Sequence, residues 1–227
     1  MQQAQALLAM WKPALRGACK GDSSSLCGSA SFGSEQARDA LLLATSPTAF
    51  DGRLSRGAAG KSSVISPPGD QGDCSACVSF AVTAAAEAAM GSALLDAGAG
   101  GGVPRLSPLD LFFCGGDAGD ASCQSGWTLS GALTELTKRK QLQSADCLPF
   151  SNTQSAPLPR LCTPRCSSPV SPKGSFSWTK VRPLRSIPRM QQHIREWGGV
   201  VTRMDVPKGF RSWFQGANKT KVYDEGA

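Results

Sequence analysis

Gln71-Gly72-Asp73-Cys74-Ser75-Ala76-Cys77-Val78-Ser79-Phe80 is the stretch on which the fold of this chain turns. Together with Gly69-Asp70, its first half is a turn-rich loop. From Cys77 to about Leu95 the chain is rich in alanine and free of proline. It stops at Ala97-Gly98-Ala99-Gly100-Gly101-Gly102, so a helix is predicted to open at Cys77. That start places a thiol in the first helical turn, where N–H groups lack partners and the dipole favours negative charge. Such a position favours the thiolate, the reactive form of cysteine. The Gln71 amide, six residues upstream, is free to turn towards the same spot. With the Cys77 N–H it would make a pair of donors for a developing oxyanion. Phe80, Ala84, Ala88 and Gly91 fall on one side of the helix, a small-residue face expected to pack tightly.

Downstream, Ser107-Pro108-Leu109-Asp110 is a helix start. Ser107 is the cap, Pro108 the first helical residue, and Asp110 stands where a capping-box acid would. A further helix is predicted from about Leu129 to Lys138, with Leu129, Leu133 and Leu136 on one face. The region from Ser144 to Lys173 reads as loop. Phe176, Trp178 and Lys180-Val181 alternate like a strand. Ser186 is expected to cap a helix from Ile187 to Trp197, ended by Gly198-Gly199. Val200 to Val206 reads as a second strand. Helices first and strands late indicate an α+β protein. Upstream, Ser62 to Pro67 is a short extended run and Phe50-Asp51-Gly52-Arg53 leads into a loop. Residues 1–47 read as a separate leader. It holds a helical stretch (Ala4 to Trp11), a Ser/Gly-rich linker with Cys19 and Cys27, and a further turn or two of helix from Ala37 to Leu43.

Of the 227 residues, 41% are hydrophobic and 18% charged, which suits a globular chain. No apolar run approaches the roughly 20 residues that span a bilayer, so no membrane partner is expected. Nor does Ala4 to Met10 make a signal peptide, being weakly apolar with no basic residue before it. The formal charge is +7, and residues 114–227 carry 16 Lys/Arg against 8 Asp/Glu. These charges are scattered and no nucleic-acid motif accompanies them, so they read as a solvated face. Seven of nine cysteines lie between Cys74 and Cys166, the pattern of a disulfide framework in an oxidising compartment. An odd total leaves at least one thiol unpaired.

The segment around Cys77 resembles the nucleophile motif of the papain/cathepsin family, C-G-[SA]-C-[WY]. Further stretches match in order. Phe50-Asp51-Gly52-Arg53 is similar to the start of the mature enzyme. Leu106-Ser107-Pro108-Leu109-Asp110-Leu111, followed by Cys114, resembles L-S-x-x-x-L-x-x-C. Ser122-Cys123-Gln124-Ser125-Gly126-Trp127 resembles the G-C-x-G-G segment, whose backbone binds extended substrate. Cys147-Leu148-Pro149-Phe150 resembles the Y-P-Y element. Gly198-Gly199-Val200-Val201, with Phe210 and Trp213, resembles the G-P-V strand and the aromatic segment before the catalytic histidine.

The resemblance implies a papain-like two-lobe α+β fold over residues 48–227 that acts as a monomer on polypeptide substrates, without cofactor or metal. It implies Cys77 as nucleophile, Gln71 as oxyanion donor, and Ser125 and Gly126 as substrate-binding positions. It also implies a Cys74–Cys123 disulfide, with Cys114 bridged to Cys162 or Cys166 and Cys147 taking the other. Family members work in lysosomes, vacuoles or outside the cell. Residues 1–47 would be a leader or propeptide remnant. Three departures stand out. Ser75 and Ser125 replace glycines, Val78 replaces an aromatic, and no histidine follows His193. The family's base lies roughly 130–150 residues after the nucleophile, and the order of segments puts it just beyond Tyr223. The expectation is therefore a complete helical lobe, an incomplete β lobe, and little peptidase activity. His193, 116 residues after Cys77, reads as a half-exposed residue beside an apolar face of Ile187, Met190, Ile194 and Trp197. A catalytically silent binding or regulatory protein on the same fold is the main rival. Cys74-Ser75-Ala76-Cys77 also has the form of a C-x-x-C redox motif, and Cys74, Cys77, Cys162 and Cys166 formally suffice for zinc.

Overall fold

The computed structural model describes residues 6–7, 35–55, 64–96, 105–115, 120–139, 141–150, 162–163, 166 and 181–213. In chain order these form β1 (Ala6–Leu7), α1 (Glu35–Ala44), α2 (Gly52–Ser55), α3 (Cys77–Asp96), α4 (Pro108–Phe113), α5 (Leu129–Arg139), β2 (Pro183–Leu184), α6 (Ile187–Trp197) and α7 (Phe210–Trp213). α3 is central, packing against α4, α5 and α6; α4 also meets α5, and α1 meets α6. The described sheet is a single antiparallel pair, with Ala6 opposite Leu184 and Leu7 opposite Pro183.

The 20 residues of α3 are long and apolar enough to cross a bilayer, contrary to the sequence-based expectation. Here the helix is instead the protein's core element, buried over most of its circumference from Val82 to Ser92. Its small side chains let neighbouring elements approach closely. The buried hydroxyls of Ser79, Thr83 and Ser92 bond back to the carbonyls of Ala76, Ser79 and Ala88, each at 2.9 Å, so they sit in the core without an orphaned polar group. Of the face expected to pack, Ala88 and Gly91 are buried and Phe80 is half-buried, while Ala84 is exposed.

One apolar cluster joins Val82, Ala86 and Met90 of α3 to Leu111 of α4, Leu133 and Leu136 of α5, and Val201. A second gathers Cys74, Ala76 and Phe112 beneath the loop that leads to Cys77, with Phe80, Trp127 and Phe150 around them. Phe80 meets Phe150 edge-on at 4.8 Å, and Phe112 meets Trp127 at 6.0 Å. Each fully buried Leu, Met or Phe contributes about 1.5–3 kcal/mol, so these clusters hold the loop from below.

Ser107 caps α4 as expected, its hydroxyl accepting the Asp110 N–H at 3.0 Å with Pro108 at the first position. The capping box does not close. Asp110 is buried, and its carboxylate turns to Arg139 of α5 and to the Gln143 N–H, each at 2.7 Å. A buried carboxylate is better stabilised by a guanidinium and an amide than by one local N–H. Ser186 stands at the start of α6, but its hydroxyl makes no cap bond. At the other end Gly198, at φ +89°, closes the helix through its N–H to Ile194 O.

Three further expectations change, and a fourth lies mostly outside the described residues. Ala6–Leu7 is a strand, not part of a helix from Ala4 to Trp11; the rest of that stretch lies outside the described residues. An isolated helix that short is marginal, whereas two residues complete a backbone pair with β2. Gly52–Ser55 is a short helix, opened by Asp51, which accepts the Arg53 N–H at 2.9 Å. Val200 to Val206 is not a strand: it has no ladder partner among the described residues, and Thr202 to Val206 are exposed. The alternation of Phe176, Trp178 and Lys180 lies outside the described residues; Val181 is not in a strand, and the pairing occurs at Pro183–Leu184.

Candidate active site

Cys77 is the first residue of α3 and is exposed, while Ala76 before it is fully buried. The Ala76 carbonyl receives both the Ser79 and Phe80 N–H groups, at 3.0 and 3.2 Å. The N–H groups of Cys77 and Val78 therefore open the helix with no carbonyl one turn behind them. Val78 is half-buried against the main cluster, so valine packs where the family carries an aromatic residue.

The loop that delivers Cys77 is built by local bonds. Asp70 accepts the Gly72 N–H at 2.8 Å, and Gly72 takes φ +56°, a left-handed turn that glycine makes without strain. Gly69 lies so close to Phe80 that a Cβ would meet the ring at 2.6 Å. Gln71 Nε2 donates to Cys74 O at 2.8 Å. An amide NH2 carries two protons. This bond takes one of them and holds the group beside the turn that leads to Cys77, leaving the second to donate.

A second loop is stitched alongside. Cys74 and Cys123 form a disulfide, Ser75 N donates to Cys123 O at 2.9 Å, and a Cβ on Gly126 would meet Ser75 O at 3.1 Å. Gly126, at φ +76°, lies in a region where other residues are strained. It exchanges both backbone bonds with Ser122, its N–H to Ser122 O at 2.7 Å and its carbonyl to Ser122 N at 3.1 Å. Ser125 is exposed on the same turn, its N–H 3.0 Å and its hydroxyl 2.5 Å from Ser122 Oγ.

Two more disulfides join Cys114 to Cys162 and Cys147 to Cys166. Cys77 is the free cysteine among the described residues; Cys19 and Cys27 lie outside them. Because Cys74 pairs with Cys123, it forms no redox couple with Cys77. The sulfurs of the formal zinc set are divided among three bridges and one thiol. Among the described residues no cluster of His, Cys, Asp or Glu is placed to hold a metal.

His193 is buried, a correction to its expected half-exposure, and its ring stacks on Trp197 at 6.4 Å. Burial pushes its pKa below the usual histidine value, with Glu196 opposing. The end of α6 meets α3 at Ala88, against which Gly198 is tightly packed. At 1.5 Å per residue that contact is about 16 Å along the helix from Cys77. His193 is thus held on Trp197 by its own helix, and no described hydrogen bond or ring contact links it to the thiol.

Glu87 escaped the sequence reading. It is buried in α3, where it accepts the Leu106 N–H at 2.6 Å and the Ser66 hydroxyl, with Arg105 at 3.6 Å. Desolvation nevertheless raises its pKa. It ties the segment before the Cys77 loop to the segment before α4. The available signal was a lone acid among alanines in a helix otherwise read as core.

Residues 46–226 match the family model described as papain family cysteine protease. No curated protein matches the chain.

Proposed function

The chain belongs to the papain family of cysteine proteases, and on that premise we propose that it acts on polypeptides through Cys77. The observation that carries this reading is a free, exposed thiol at the first position of α3, three residues after the Cys74 carbonyl on which the Gln71 amide is fixed. The Cys77 thiolate attacks the substrate carbonyl carbon. The remaining Gln71 proton and the Cys77 N–H donate to the oxygen that becomes negative. If water protonates the departing nitrogen, collapse expels the amine and leaves an acyl thioester, which a further water hydrolyses to release the acid. Ser125 and Gly126 line the approach, because their loop is joined to the Cys77 loop through the Cys74–Cys123 disulfide. Family members work in oxidising or degradative compartments, and three disulfides support the same setting here.

These 227 residues contain one histidine, and it stacks on Trp197. We therefore assign the 1–227 chain a nucleophile and oxyanion donors without an imidazole to take the thiol proton and protonate the leaving amine. Purified 1–227 should form covalent adducts at Cys77 but show little turnover of fluorogenic peptides between about pH 4 and 8. Robust hydrolysis that disappears in Cys77→Ala would refute the inactivity. Absence of adducts at Cys77 would refute the nucleophile. A second reading, a peptide-binding or regulatory protein on this fold, is favoured by one observation: the one histidine of these 227 residues is buried against Trp197. Under it, Cys77→Ala retains a polypeptide ligand and no variant turns over.

A further inference from the structure

Helix α1 lies upstream of the family domain, which begins at residue 46. Only a narrow ridge of it turns inward. Residues 35, 39 and 42 share one face by helical spacing; of these Asp39 and Leu42 are half-buried, while Glu35, Arg38, Ala40 and Leu43 are exposed. A helix of 10 residues is marginal in water by itself, so α1 owes its order to what it touches, and it packs on α6. The polar part of that contact converges on one residue. Arg189, in the first turn of α6, donates from Nε to Asp39 Oδ1 and from Nη1 to Glu35 Oε1, each at 2.9 Å. One planar guanidinium thus spans two successive turns of α1. Five residues before it, Leu184 pairs with Ala6. Both β1 and α1 are therefore seated on the segment from Pro183 to Trp197.

We infer that α1 is an ionic strap, latched across the first turn of α6 by Arg189 and opened when the charges are screened or removed. The exposure of the three side chains makes the latch light. Arg189 is 31% exposed, Asp39 24% and Glu35 81%. Pairs this wet hold weakly and lose strength as salt rises. Closed, the strap braces the start of α6, whose other end rests on Ala88 of α3 through Gly198. Opening gives two carboxylates and one guanidinium to water and leaves α6 seated on α3.

The test is amide hydrogen exchange of the intact 1–227 chain, read by mass spectrometry on peptides from α1 and, as a control, from α5. Arg189→Met keeps an apolar stem, removes the charge and leaves the α1 sequence untouched, so a change in α1 exchange must come through α6. In that variant α1 should exchange about fivefold faster than in the wild-type chain, with α5 unchanged. About 1 M sodium chloride should speed α1 exchange in the wild-type chain but not in Arg189→Met. Asp39→Asn, a neutral isostere on the other side of the contact, should match Arg189→Met, and it is decisive where Arg189→Met also quickens α5. Wild-type exchange of α1 in both variants, or the same salt response with and without the Arg189 charge, would overturn the strap. Neither result touches the assignment of Cys77.

Discussion

The described residues between Cys74 and Phe150 and those between Val181 and Trp213 are built on different terms. In the first stretch, α3, α4 and α5 bury their side chains against one another, and the charged groups among them are paired: Asp110 with Arg139, and Glu87 with Leu106 N, Ser66 and Arg105. A disulfide joins the loop before α3 to the loop before α5. In the second stretch only His193, Trp197, Gly198 and Val201 are buried, and Thr202 to Val206 lie open. The difference follows from backbone chemistry. A helix satisfies its own N–H and carbonyl groups and needs only one packed face, whereas an extended segment needs a neighbour. The proposed thiol site draws Cys77 from the first stretch and Gln71 from the loop just before it. The only histidine stands in the second.

That contrast can be broken by mutation. The largest effect is expected in the helical stretch. Asp110→Ala leaves Arg139 and Gln143 N without their carboxylate and should cost about 3 kcal/mol or more, read as a lower urea midpoint. Next is the joint between the stretches. Gly198→Ala puts a Cβ at 2.8 Å from Ala88 Cβ in a left-handed conformation. The conformation alone should cost about 1–2 kcal/mol. An unchanged midpoint would mean that α6 does not bear on α3 there.

Two titrations sharpen the comparison, and they run in opposite directions. His193 has a lowered folded pKa, so the unfolded chain binds its proton more readily. Stability should therefore fall as pH drops below the unfolded value of about 6.5. Glu87 has a raised folded pKa, so the folded chain holds its proton more tightly. Its contribution is greatest below the ordinary glutamate range and is lost as pH rises through the raised value. His193→Asn should flatten the first slope and Glu87→Gln the second, each read from urea midpoints across pH. The smallest effect belongs to the open segment: Val206, 57% exposed, should change stability by less than about 0.5 kcal/mol when replaced by serine.

Local rules reached the first stretch well. Alanine content and a glycine-rich stop bounded α3, and Ser107-Pro108 started α4 where the structure starts it. Loop chemistry and the order of motifs pointed to Cys77 and Gln71. Longer-range outcomes were not legible. Asp110 carried the signature of a capping-box acid, yet the better partner lay 29 residues away on Arg139. Val200 to Val206 had strand composition without a strand to pair with. His193 bordered an apolar face, and only packing decided that the ring goes in.

By itself, the sequence determined where α3, α5 and α6 begin and end, where α4 begins, the surplus thiol at a helix mouth and the family to which the chain belongs. Those features depend on bonds between residues three or four apart and on motif order. Tertiary structure alone decided whether Cys162 or Cys166 joins Cys114, which hydrogen bonds engage Gln71 and Gly126, and which face of α3 is buried. Each is a choice among partners distant along the chain, and only the folded backbone brings those partners within bonding range.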